Sequence, residues 1–513
     1  MKKVKKSLAI LIAAIMVLSV SPFGFADGST AADIDYIIDN PYKAVKWETD
    51  GQYKADLHCH TVFSDGNDTL PESVERHYEL GFDILAITDH GTVSRSYVDQ
   101  KFNAPMAVFS FIENGELKPD VLEMNGTAAN GNKYSVEINS TTGDEYYSQE
   151  TENAQKMLRV PFGNEQNPTS FNNAHVNTWF VDYGDGRVGG TSNYEDIISK
   201  IDQLGGTSVI NHPGEYTNAR DEVFTADAYN VDDPVYNYKI NKFANLLKKY
   251  HSCIGIDINS KGDSRTRFDR KLWDILLQKI IPTGRNVFAI ATSDAHNLDI
   301  VDSGYSVMVM PELTSAALEK AMNDGAFFAA SKYIGNLDEL IGYSATLLTS
   351  ENPEAVAFGN VLKGYADKIN KEIEENGEQD TKFRVEDENR AIPAPKVTNI
   401  VVDEAEDTIT FTTENALLVH WIADGKVIAS GNSIDLDDYS DKIGSYVRAE
   451  ILGEGGIMYS QAFVLDYDGA PEAEDDGAFF DFGILVSLIC DTPVKLLVAL
   501  LKTPILAFVE IFN

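Results

Sequence analysis

The sequence predicts an α/β fold followed by a small all-β unit, and three observations carry that prediction. Short, near-continuous apolar strands alternate with helical stretches from about residue 50 to residue 345. Candidate metal-binding or acid–base motifs stand directly after those strands. From Lys396 onward the pattern changes to strict alternation of apolar and polar residues, separated by turn signals. The first pattern indicates a mainly parallel sheet, open or closed into a barrel, whose sites lie at the carboxyl ends of its strands. The second indicates a small β-sandwich.

At 513 residues the chain is too long for one ordinary core. Residues 1–26 read as a secretory signal peptide: a start with four lysines, an apolar stretch from Ser7 to Val20, and small residues before a cleavage point after Ala26. Export follows, to the periplasm, the cell surface or the medium. Residues 53–60 form the first strand. Leu70-Pro71-Glu72 opens a helix that stops at Gly81, because proline is favoured in a first helical turn. Phe82 to Ile87 is the next strand, which completes a β-α-β unit. Gly206–Ile210, Cys253–Ile258 and Val287–Thr292 repeat the strand pattern. Helices over 241–250 and 270–279 precede the last two. Residues 97–159 break the rhythm and read as an insertion or lid over the strand ends. Residues 364–395 are a charged linker, helical or disordered, ending in prolines. The β-sandwich, Ig-like in its alternation, covers 396–468, with Asp424-Gly425 as a hairpin turn. The apolar tail at 478–513 is broken by charges and is too short in any uncharged run to span a bilayer. It suits a membrane surface, a partner, or packing on its own protein.

The net charge of −38 disfavours wrapping of long nucleic acid, which needs clustered positive charge. Loss of the four leader lysines makes the mature chain more acidic still. Cys59, Cys253 and Cys490 make no disulfide framework, and Cys59 reads as core.

The chemistry concentrates in "DLHCHTVFSDG", residues 56–66. In a strand, residues i and i+2 share a face, so His58 and His60 project together. Asp65 follows five residues on. Of nine histidines, six stand in strand-end or loop motifs: His58, His60, His90, His175, His212 and His296. His77, on an exposed-looking helix, and His251 and His420 read as solvated or packed residues. Imidazole and carboxylate together suit Zn, Mn or Fe, and the lack of thiolates excludes a structural zinc cage.

"DLHCHTVFSDG", "AITDHG", "NHPG" and "TSDAH", in that order, resemble the four motifs of the PHP (polymerase and histidinol phosphatase) superfamily over about residues 50–335. The resemblance implies a distorted (β/α)7 barrel with two or three divalent metal ions. It places His58, His60, Glu165 and Asp294 on one metal; Glu165, His175 and His212 on a second; Asp65, His90 and His296 on a third. Glu165 and His175 come from "FGNEQNPTSFNNAH", with Glu113, Glu123 and Glu137 as rivals for the bridging carboxylate. Asp65, His90 or His296 is the candidate acid for a leaving alcohol. Arg265 and Arg267, in the densest basic cluster of the mature chain, are candidate phosphate contacts. The function implied is hydrolysis of phosphate mono- or diesters of small molecules or nucleotides. Two alternatives stand beside it: amide or cyclic-ester hydrolysis on the same site, and a surface binding protein without catalysis.

Overall fold

The computed structural model describes residues 34–100, 120–151, 155–166, 174–184, 193–216, 234–260, 268–377, 383–386 and 391–474. The leader at 1–26, Arg265, Arg267 and the tail at 478–513 lie outside the described residues. No helix among the described residues is long and apolar enough to cross a membrane.

Strand β1, Gly51–Cys59, turns fully buried from Ala55 onward. Helix α1, Leu70–Glu79, begins at a capping box in which Thr69 and Glu72 satisfy each other's backbone amides. It leads into β2, Ile84–Ile87, which pairs parallel with β1. Strands β3 (Asn164–Gln166), β4 (Val176–Trp179), β5 (Thr207–Ile210), β6 (Cys253–Asn259) and β7 (Phe288–Ala291) form a second, five-stranded sheet. Helix α2, Asp269–Ile280, connects β6 to β7, which are parallel as expected. Strand β8, Gly304–Met310, returns to the first sheet antiparallel to β1.

The mixed α/β arrangement agrees with the expected distorted barrel in kind, but its strands do not close into one continuous sheet. β4 runs antiparallel to both its neighbours, and the strands divide into separate sheets. The two site-bearing sheets nonetheless share one core. Ala55, Leu57, Ile84, Ala86, Val209, Ile254, Ile290 and Met308, drawn from both, are buried in one cluster. Each large aliphatic side chain so buried stabilises the fold by about 1.5–3 kcal/mol.

The sheets meet at two seams. At one, Cys59 bridges Ala295 and the His60 amide donates to the Ala295 carbonyl at 2.9 Å. At the other, His90 bridges Glu165, with the Glu165 amide donating to Thr88 O at 3.0 Å and the Gly91 amide to Glu165 O at 3.1 Å. Gly163 makes the second approach possible, since a Cβ there would lie 2.4 Å from the Ile87 carbonyl oxygen. Both seams end in candidate ligands.

The described part of 97–159 forms an antiparallel meander (Asn125–Thr127, Lys133–Ile138, Glu145–Gln149) that extends the first sheet through Met157–Arg159. Much of the expected linker is helix, Pro353–Asn376. Beyond it, Lys396–Asp403, Thr408–Glu414 and Ser433–Asp435 make a three-stranded sheet. The facing layer includes Tyr446–Gly453 and Gly456–Tyr459, and Phe411, Trp421 and Ile451 fill the space between the layers. That layer is continuous with the first sheet, because Ala329 to Ser331 pair with Tyr459 to Ile457. Asp424 and Gly425 both take positive φ (48° and 71°), which a two-residue hairpin turn requires.

Candidate metal centre

The end of β1 delivers His58 and His60, and the end of β7 delivers Asp294. Between them lies Glu165 of β3. The four side chains bring His58 Nε2, His60 Nε2, Glu165 Oε2 and Asp294 Oδ1 together. His58 lies 3.0 Å from His60, 3.2 Å from Glu165 and 3.3 Å from Asp294. His60 lies 3.1 Å from Glu165 and 3.2 Å from Asp294. Four donors at about 2.0 Å from a tetrahedral ion stand about 3.3 Å apart. These separations are the edges of such a tetrahedron, so the residues fit a divalent ion. All four side chains are at most 1 % exposed.

Glu165 reaches a second group with its other oxygen. His175 Nδ1 is 2.8 Å from Glu165 Oε1, and His90 Nδ1 is 3.2 Å from Oε2. His212 Nε2 lies between the carboxylates, 3.5 Å from Glu165 Oε1 and 3.4 Å from Asp294 Oδ2. A third group gathers His60, Asp65, His90 and His296. Asp65 stands 3.3 Å from both His60 and His90, and 3.5 Å from His296. The structure thus joins His90 to His175 and Glu165, and His60 to the Asp65 group. Of the rival carboxylates, Glu123 is exposed, Glu137 pairs at the surface with Lys156, and Glu113 lies outside the described residues.

Charge and burial differ across the site. Burial alone would raise the Glu165 carboxyl, yet the imidazoles of His175, His58 and His90 hold it well below the usual range. Asp65 is likewise held down, by His90, His296 and His60, against its own burial. Burial pushes His58 down and His175 down to about 4, which keeps their lone pairs free for a ligand role at neutral pH. Asp65 and His296, at 38 % and 28 % side-chain exposure, are the open side of the cluster. His212 and Asp294 hold φ of 26° and 46°, a region that non-glycine residues rarely occupy and that clusters at functional sites.

Several contributors escaped the sequence reading. Asp89 accepts from the Thr61 amide (2.8 Å), the Thr61 hydroxyl (2.7 Å) and the Ser64 hydroxyl (2.6 Å), and so fixes the loop that carries Asp65. Asn211 Nδ2 donates to Glu165 Oε1 at 2.8 Å. Asp257, pushed up to about 7 by burial, accepts from the Thr292 hydroxyl. His77 is a correction: the helix looked exposed, but the ring is fully buried and pairs with Asp56 at 3.1 Å. For Asp89 and Asn211 the sequence signal was adjacency to a candidate ligand, as in Thr88-Asp89-His90 and Asn211-His212, while Asp257 and His77 stand next to none.

This arrangement of histidines and carboxylates can be compared with known families. Residues 56–176 match the PHP domain. The PHP match holds His58, His60, Asp65, His90, Glu165 and His175, while His212, Asp294 and His296 come from chain beyond it. Among solved structures, the chain is similar to a two-domain protein from Bacteroides vulgatus ATCC 8482 containing a predicted PHP-like metal-dependent phosphoesterase. Identity there is 12% over 82% of this chain and 88% of that one, with a TM-score of 0.30. It is also similar to PsfC from Pseudomonas syringae PB-5123 (12% identity, 62% of this chain, 99% of that one, TM-score 0.30). The lesion-specific endonuclease PfuEndoQ from Pyrococcus furiosus is similar at 11% identity over 64% of this chain and 84% of that one, with a TM-score of 0.28. No curated protein matches the chain.

Proposed function

We propose that the protein is an exported, metal-dependent phosphoesterase that hydrolyses phosphate mono- or diesters of small molecules or nucleotides. The observation that carries this reading is the convergence of His58, His60, Glu165 and Asp294 at tetrahedral spacing, with Glu165 reaching a second histidine group. Two or three ions (Zn, Mn or Fe) fit the donor set. Divalent ions bound there would bring the pKa of water toward neutrality and offset charge on phosphoryl oxygens.

The chain's own residues then have separable tasks. His58, His60, Glu165 and Asp294 would hold one ion. Glu165, His175 and His212, with His90 beside them, would hold a second. Asp65, His90 and His296, joined by His60, surround the third position. Substrate enters on the side where Asp65 and His296 meet solvent. Where only the first two positions are filled, His296, whose Nε2 stands 3.5 Å from Asp65, would give a proton to the oxygen of the departing alcohol as its bond to phosphorus breaks. Asp65 orients that imidazole. Arg265 and Arg267 are assigned to the substrate phosphate, whose paired oxygens suit a guanidinium. The acidic surface favours small substrates over long nucleic acid. Export rests on the basic, then apolar, start of the sequence.

The test is a panel of phosphate monoesters, phosphate diesters, short oligonucleotides, amides and lactones, assayed with added Mn²⁺ or Zn²⁺. Turnover of a phosphate ester, lowered in kcat by His296→Ala, is expected. Turnover of an amide or lactone with every phosphate ester untouched would move the reading to a different hydrolase on the same residues. No turnover of any of them by metal-loaded protein would favour a binding role.

A further inference from the structure

Beneath the ligands lies a second constellation that the proposed mechanism does not use. Asp56, His77 and Ser293 are all fully buried. The His77 ring comes from α1 and is anchored there, since Nδ1 donates to the Ser73 carbonyl at 2.7 Å. Its edge meets the Phe82 ring, with centroids 5.1 Å apart. Nε2 pairs with Asp56 Oδ2 at 3.1 Å. The Ser293 hydroxyl donates to that same oxygen. Asp56 Oδ1 accepts two backbone amides, from His58 at 3.2 Å and from Ser293 at 3.2 Å. The Ala295 amide in turn donates to Ser293 Oγ at 3.1 Å.

One carboxylate therefore grips the backbone amides of His58 and of Ser293, the residue before Asp294. His58 lies in the first sheet and Ser293 just past the last strand of the second. Backbone pairing joins them here at the Cys59–Ala295 bridge and one adjoining amide bond, beside side-chain bonds of Ser306 with Ala291 and of Ser293 with the His58 carbonyl. No continuous ladder fixes the distance between them. The Asp294 backbone also sits at positive φ, a conformation that persists only where surroundings hold it. Asp56 is the one carboxylate that bonds the amides of both His58 and Ser293, and the side chain that holds Asp56 from outside both segments is His77.

We propose that His77 is a positioning residue: through Asp56 and Ser293 it clasps the two sheets together and sets the spacing of His58 and Asp294 around the ion. This rests on the metal-centre reading above, and it adds a residue outside the ligand motifs. A partner bonded directly to a ligand side chain typically contributes a factor of about 10–100 to metal affinity, which is the ceiling for a residue that acts through Asp56.

The experiment measures the affinity of chelator-stripped protein for Co²⁺ and Zn²⁺ by competition with a chromophoric chelator. It also records the visible Co²⁺ spectrum, which reports ligand geometry independently of turnover. All measurements are made well below the unfolding temperature of each variant. In His77→Ala, affinity is expected to fall by at most about 10–100-fold with an altered Co²⁺ spectrum. His77→Gln, which keeps an amide donor for Asp56, is expected to recover most of the loss. A folded His77→Ala with wild-type affinity and spectrum overturns the clasp, because a merely structural histidine changes stability and leaves the ion untouched. Should His77→Ala fail to fold, Ser293→Ala and His77→Gln decide. Weakened binding in Ser293→Ala with near-normal binding in His77→Gln supports the clasp, and unchanged binding in Ser293→Ala overturns it. Wild-type protein that binds neither ion overturns the metal-centre reading, and the clasp with it. Wild-type binding with indifferent variants overturns the clasp alone.

Discussion

Two buried clusters of charged and polar side chains stand in this molecule, and they are built on opposite principles. At the junction of α2 with the C-terminal strands, Arg448 binds Asp274 through two bonds, Nε to Oδ1 at 2.8 Å and Nη2 to Oδ2 at 2.7 Å. Its remaining nitrogen donates to Glu450 at 2.9 Å. Tyr446 and Tyr343 hydroxyls complete the two carboxylates at 2.7 Å each, and Trp273 lies under the guanidinium at 4.9 Å. Each donor faces an acceptor, so the cluster is satisfied from within. At the strand ends, by contrast, Asp65, Glu165 and Asp294 are gathered with six imidazoles. Lone pairs converge from several directions on common points. Burial alone is not what marks a functional site; the direction in which charge is left to be met is.

That difference is sharpest if one acid is removed from each cluster. Asp274→Ala leaves Arg448 buried without its main partner and is expected to cost about 3–5 kcal/mol of stability. Metal content should stay at the wild-type value. Asp294→Ala is expected to do the reverse: turnover and metal at the first position are lost. The chelator-stripped Asp294→Ala protein should lose less stability than Asp274→Ala does, because the histidines that surround Asp294 keep Glu165 and Asp65 as partners. Denaturant melts and elemental analysis of both variants check this. Equal destabilisation of the two stripped proteins would erase the distinction.

The histidines and carboxylates that converge at the strand ends were legible in the sequence and the clusters that support them were not, for a physical reason. His58 and His60 share a strand face through local geometry alone, and His90, His212 and Asp294 follow apolar runs that any period-based reading finds. Glu165 was identified over its rivals only through the resemblance, and the structure distinguishes it by burial. The pairing of His77 with Asp56 joins residues 21 apart through the packing of α1 against β1, and an amphipathic helix pattern does not say which polar residue turns inward. Arg448 and Asp274, 174 residues apart, were invisible for the same reason. The period-2 code from Lys396 gave most of the strands. It missed Ser433–Asp435 and read two strands where Tyr446–Gly453, Gly456–Tyr459 and Phe463–Asp466 are three. Nor did it show their continuity with the first sheet, which is settled by edge pairing at Ala329 to Ser331.

A smaller effect separates the clusters without any mutation. Ligands that bind only the folded state stabilise it by mass action, about 2.7 kcal/mol at 100 times the dissociation constant. EDTA is therefore expected to lower the unfolding temperature of wild-type protein, and excess Zn²⁺ or Mn²⁺ to restore it. The Asp274→Ala variant should show the same metal-dependent increment from its lower baseline. A baseline shift with no metal-dependent increment in either protein would mean that the strand-end cluster holds no ion.

The smallest expected effect tests whether burial is the variable that matters at all. Lys363 and Asp367 on the Pro353–Asn376 helix form an i,i+4 pair at 2.8 Å, with side chains 54 % and 64 % exposed. Water and salt screen such a pair, and ordering two mobile side chains offsets most of the attraction, so it contributes about 0.3–0.5 kcal/mol. Lys363→Ala should lower stability by no more than that, and by less in high salt, with metal content and turnover unchanged. It bonds as closely as Arg448 does to its carboxylates and differs from it chiefly in exposure. If its loss were as damaging as that of Asp274, distance alone would govern these pairs, and the contrast between a self-satisfied buried cluster and a convergent one would have no energetic basis.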